Sequence, residues 1–165
     1  MSSRTGLRID GGDTLSYPLA NLLSGAQGTV VHRFNPRYGA AYAERAQWYV
    51  FNITNFLRCY YQSSDDKFYF EAYNGTDWTT VQVGSAVQTF AFDDILFMAC
   101  RWNSGSGIDL DVGSAKTSSS VTWTAQSVPA DGNLGSEDAL NLVVELYRKQ
   151  LSDAALRSIR LTAKR

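Results

Sequence analysis

Hydrophobic positions along the chain fall mostly at alternate residues, in short runs broken by Gly, Asn, Asp and Ser. This period of two is the mark of half-buried strands. It predicts strands near Gly6–Ile9, Thr29–Phe34, Gln47–Ile53, Phe56–Gln62, Lys67–Tyr73, Thr79–Val83, Ile95–Trp102, Ile108–Val112, Thr117–Thr124 and Ala139–Tyr147. The stretches "QSSDDK" and "NGTD" read as hairpin turns, the second through its Asn-Gly pair, and "NSGSG" as another. In the run Phe97–Trp102, alternation puts Met98, Cys100 and Trp102 on one inward face. Two connections are long: Asn35 to Gln47, rich in Tyr and Arg, and Gln126 to Asp138, rich in Pro, Gly and Asp. Long loops in compact domains are often functional.

The pattern changes after Tyr147. Ser152 offers a helix N-cap, with Asp153 in the first turn. Leu151 and Leu156 have the spacing of a hydrophobic staple, and Leu156, Ile159 and Leu161 supply an apolar stripe. A short docked helix is expected here, lying as a lid on the edge or end of a sandwich.

Length and composition fit this picture. The 165 residues suit one domain spanning 1–165, without visible repeats or an internal boundary. With 44% hydrophobic and 19% charged residues the chain can build a packed core, and 13% aromatic content favours strands. A net charge of −1 gives no pull toward nucleic acid. No apolar run reaches the about 18 residues that a membrane-spanning helix needs. The N-terminal "MSSRTGLRIDGGD" has no apolar signal region, so the protein is made without a leader or reaches the outside after losing one. Cys59 and Cys100 lie in strand-like runs and read as buried thiols; a disulfide between them would need neighbouring strands. With His32 as the sole histidine, no zinc site follows.

Four segments resemble a known family. "ELYRKQLSDAALRSI" is similar to the closing strand, turn and short helix of laminin-G-like domains in the concanavalin A-like lectin/glucanase group. Tyr147, Leu151, Ser152 and Ile159 take comparable roles, and Ala155 stands where the family often has an acid. "GTVVHRFNP" resembles the early strand of that family, with Phe34 at the usual Trp. "FMACRWNSGSGIDLDVG" resembles its central hairpin, and "NLGSEDALN" the approach to its last strand. The resemblance covers roughly residues 28 to 160 and implies an all-β, concanavalin A-like jelly-roll sandwich of two antiparallel sheets with a short C-terminal helix.

Chemistry narrows the function. Retaining glycosidases of this group carry two carboxylates about 5–5.5 Å apart. "GIDLDVG" puts Asp109 and Asp111 on one face but lacks the flanking glutamates, so an enzyme is not expected. No Gly-x-Ser-x-Gly elbow is present either. Asp109 and Asp111 are candidate calcium ligands, since hard cations take carboxylate oxygens, and calcium is the one cofactor these residues suggest. Asp131, Asn133, Glu137 and Asp138 form a second acidic candidate. A solvated strand face is the competing account of both.

Aromatic rings packing on sugar C–H faces are the other candidate chemistry. Tyr60, Tyr69, Tyr73 and Trp78 on strands, with Tyr38 and Tyr42 in the first long loop, are the ligand-binding candidates. Core packing or cross-strand pairing is the bland alternative.

The expectation is a non-catalytic structural or assembly module, associated with a virion as a phage capsid decoration or tail-associated protein. Its partners would be a protein lattice or further copies of itself. Without a signal region its expected place is the virion, or the extracellular space if a leader is removed. The alternative is a carbohydrate-binding module acting through aromatics on the concave face.

Overall fold

A computed structural model describes residues 15–35, 47–84, 95–134 and 140–162. Eleven strands and one helix are found there: β1 (Leu15–Pro18), β2 (Gln27–Asn35), β3 (Gln47–Ile53), β4 (Leu57–Gln62), β5 (Lys67–Tyr73), β6 (Trp78–Gly84), β7 (Leu96–Asn103), β8 (Gly107–Val112), β9 (Ala115–Ser119), β10 (Asp131–Leu134), β11 (Leu140–Tyr147) and α1 (Asp153–Thr162). The strands form a six-stranded sheet in the order β1-β10-β3-β4-β5-β6 and a five-stranded sheet in the order β11-β2-β7-β8-β9. Every pairing is antiparallel. The protein is an all-β sandwich with one short C-terminal helix.

Alternation explains the main core. Cys59, Tyr61, Phe68, Phe70, Val81 and Val83 of one sheet meet Val30, Phe34, Met98, Cys100, Trp102, Ile108 and Leu110 of the other. Burying each large side chain stabilises the fold by about 1.5–3 kcal/mol. Both cysteines are reduced and buried, and Cys59 reaches Met98 Sδ at 3.2 Å.

The turns follow their residues. At the β5–β6 turn, Gly75 takes φ 101, and Asn74 Oδ1 accepts from the backbone N–H groups of Thr76 and Asp77 at 2.8 and 2.7 Å.

Three expectations need correction. The segment after Ser119 leaves the sheet, so the strand foreseen over Thr117–Thr124 is the shorter β9. β10 lies inside what reads as a loop, pairing β1 to β3. Its "DGNL" has no apolar alternation to announce it. The helix lies on the outer face of the five-stranded sheet, not on an edge or end: Leu151 and Leu156 pack on Val31, Phe97 and Ala99. Because β7 has the core on one face and α1 on the other, seven of its eight residues are buried. The expected strand Gly6–Ile9 lies outside the described residues. Among those residues no helix is long and apolar enough to cross a membrane.

Candidate functional site

The six-stranded sheet turns its second face away from the core, and register decides what meets there. Tyr49, Tyr60, Tyr69 and Gln82 are successive cross-strand partners on β3 to β6. Arg58, Glu71 and Thr80 form the next row, and Tyr73 opposite Trp78 the third. Tyr60 and Tyr69 stack at 5.0 Å between centroids and 8° between planes, and Tyr49 meets Tyr60 edge-on at 5.8 Å. Tyr73 and Trp78 are tilted at 5.1 Å. Ring pairs of this kind add about 0.5–1.5 kcal/mol beyond burial.

One ion pair organises the rows. Arg58 is bonded to Glu71 and lies 4.2 Å over the Trp78 ring and 5.7 Å from the Tyr60 ring. Glu71 also accepts from the Tyr60 hydroxyl at 3.2 Å and the Thr80 hydroxyl at 3.0 Å. Burial and the adjacent Glu71 charge push the Tyr60 phenol far up, so it stays a donor. Tyr69 donates to Asp65 in the β4–β5 turn, and its phenol is pushed up to about 12, by burial first and then by that bond and the acidic charges.

The candidate residues therefore divide. Tyr69, Tyr73 and Trp78 are half-buried. Tyr60, expected as an exposed contact, is only 7% exposed because Tyr49 and Tyr69 flank it; it supports the others. Tyr38 and Tyr42 lie outside the described residues. Arg58, Glu71 and Thr80 escape a reading that looks for rings alone; an Arg facing a Glu on paired strands is the signal that finds them.

Asp109 and Asp111 share a face as expected, but a guanidinium occupies it. Arg101, only 3% exposed, reaches Asp111 at 2.9 Å, Asp109 at 3.3 Å, Asp153 of α1 at 2.7 Å and the Leu151 carbonyl at 3.0 Å. Lys116 adds a contact to Asp153 at 3.2 Å. The pair is thus engaged by Arg101, as part of a clasp that fastens α1. Among the described residues, no group of three or more His, Cys, Asp or Glu side chains is placed to hold a metal ion. Burial lifts the Asp111 carboxyl above its ordinary range against the opposing pull of Arg101 and Lys116. Asp153 is held below that range by its hydrogen bonds to Arg101 and Lys116. In the second acidic candidate, Asp131 and Asn133 belong to β10, while Glu137 and Asp138 lie outside the described residues.

No protein-family model and no curated protein matches the chain. Solved structures of similar fold do. The botulinum neurotoxin serotype D binding domain aligns with a TM-score of 0.71 at 10% identity, over 91% of this chain and 40% of that one. The binding domain of botulinum neurotoxin DC in complex with rat synaptotagmin II aligns at 0.64 and 8%, over 85% and 36%. The same domain in complex with SialylT aligns at 0.65 and 6%, over 81% and 35%. The chain thus spans well under half the length of these relatives in shape. The shared feature is the fold, a sandwich of antiparallel sheets.

Proposed function

We propose that this protein is a non-catalytic carbohydrate-binding module. Its contact surface is the outer face of the six-stranded sheet, through Tyr69, Tyr73 and Trp78. The observation that carries this reading is the convergence of three half-buried rings on two neighbouring strands around polar groups already tied together. Such a surface offers C–H stacking without side-chain reorganisation on binding. Glu71 is engaged by Arg58, Tyr60 and Thr80, which suits a scaffold role and not that of an acid or nucleophile. Two fold relatives are described in complex with SialylT and with synaptotagmin II, which supports a binding role for this type of sandwich.

A glycan array followed by polysaccharide pull-down tests it. Saturable binding that weakens at least about tenfold in Trp78→Ala and Tyr73→Ala, with folding intact, is the expected result. Equal binding by wild type and both variants, or none by either, rejects it. The assembly reading, a virion-associated decoration or tail module, rests on the sequence. It would be favoured by self-association in sedimentation together with a blank array.

A further inference from the structure

A groove of about 300 Å³ opens between α1 and the β8–β9 turn, on the sheet opposite the aromatic face. Phe97 and Leu156 supply its apolar lining, Arg157 and Arg160 one wall, and Lys116 and Asp153 its polar rim. Asp153 and Arg157 stand at i and i+4, the spacing at which an acid and a following base pair on a helix. That pairing is not made, because the Asp153 carboxylate goes to Arg101 at 2.7 Å and Lys116 at 3.2 Å. Arg157 is left without a carboxylate among the described residues. Arg160, one turn further, lies 5.5 Å over the Phe97 ring and has no carboxylate partner among them either. Asp111 also lines the groove, and with Asp109 and Asp153 it shares Arg101 and Lys116, which leaves that cluster one charge negative. Arg157 and Arg160 turn the balance positive by one, and they bring it as two guanidinium groups on adjacent turns with no carboxylate of their own among the described residues.

Guanidinium forks match the oxygens of carboxylate and sulfate. An apolar lining beside them accepts the C–H face of a ring. The volume lies at the small end of ligand sites. We propose that this groove binds an acidic saccharide unit, a single pyranose bearing a carboxylate or sulfate. Its oxyanion lies between Arg157 and Arg160, and its ring edge rests against the small part of Phe97 and Leu156 that reaches the groove. The site does not depend on the aromatic face.

Calorimetric titration with glucuronate, glucose and inorganic sulfate tests it, on wild type, Arg157→Gln and Trp78→Ala. Glucuronate is expected to bind saturably and more weakly as salt rises, glucose not to bind, and sulfate to bind more weakly than glucuronate. Arg157→Gln should weaken glucuronate binding about tenfold without moving the thermal midpoint, since Arg157 is exposed and makes no described bond. Trp78→Ala should leave glucuronate binding as in wild type. Absence of glucuronate binding, an unaffected Arg157→Gln, sulfate binding as tight as glucuronate, or loss in Trp78→Ala would each overturn the assignment.

Discussion

Trp102 fills the centre of the sandwich because its cross-strand partner, Gly28, has no side chain. A Cβ on Gly28 would fall well inside contact distance of the indole ring, which is fully buried and donates to the Ser24 carbonyl at 2.9 Å. Gly28→Ala should destabilise the protein by about 1–3 kcal/mol, as overpacked cores do, and urea unfolding would read the shift in midpoint. Tyr69 gives a second single-residue prediction. Its folded phenol titrates at about 12 against the ordinary 10.0. The folded state thus holds the proton more tightly, so this contribution is complete below pH 10.0 and is lost as pH rises toward about 12. Wild type should lose stability more steeply than Tyr69→Phe across that alkaline range, as followed by chemical unfolding at each pH.

At the scale of elements, α1 is held by packing and by the Arg101 clasp. The packing comes from Leu151 and Leu156 on Val31, Phe97 and Ala99. Thr29 reinforces the approach, its hydroxyl donating to the Lys149 carbonyl and accepting from the Leu151 amide, both at 2.9 Å. Ser152 caps the first turn through its bond from the Ala155 N–H at 3.2 Å. Arg101→Met would leave three carboxylates without their main cation, at a cost of about 3–5 kcal/mol, and amide exchange in α1 should accelerate with it. The clasp also has opposed acid responses. Asp153, depressed, stabilises above its ordinary 3.8 and loses that contribution as pH falls through its lower folded value. Asp111, raised, favours the fold when protonated, and that contribution fades as pH rises from 3.8 through its higher folded value. On acidification, Asp153→Asn should therefore lose thermal stability less steeply than wild type and Asp111→Asn more steeply. The cap, the staple and the long strands were legible because period and spacing are local properties. β10 was not, since neighbours on both sides make "DGNL" a strand. The clasp was not, because alternation reveals the face of Asp109 and Asp111 but not that Arg101 is the register partner of one and Asp153 arrives from the helix. The aromatic rows were visible as residues and hidden as pairs for the same reason.

Over the whole molecule, the two sheets close on a core that holds both thiols. Burial lifts the Cys100 thiol, aided by its neighbour Cys59, and both side chains are almost inaccessible. Native protein should resist alkylation at both positions, and labelling should appear along the same denaturant curve as global unfolding. Chain order imposes a different demand. β2 pairs on one side with β7 and on the other with β11, whose residues follow only after every other described strand has been made. During synthesis or refolding, the β2 edge therefore waits as an open template through most of the chain's growth. Its β-branched "TVV" stretch is the kind of segment that recruits another chain. Folding yield should fall steeply with protein concentration, and a synthetic β11 peptide supplied early should rescue it by occupying that vacancy in trans.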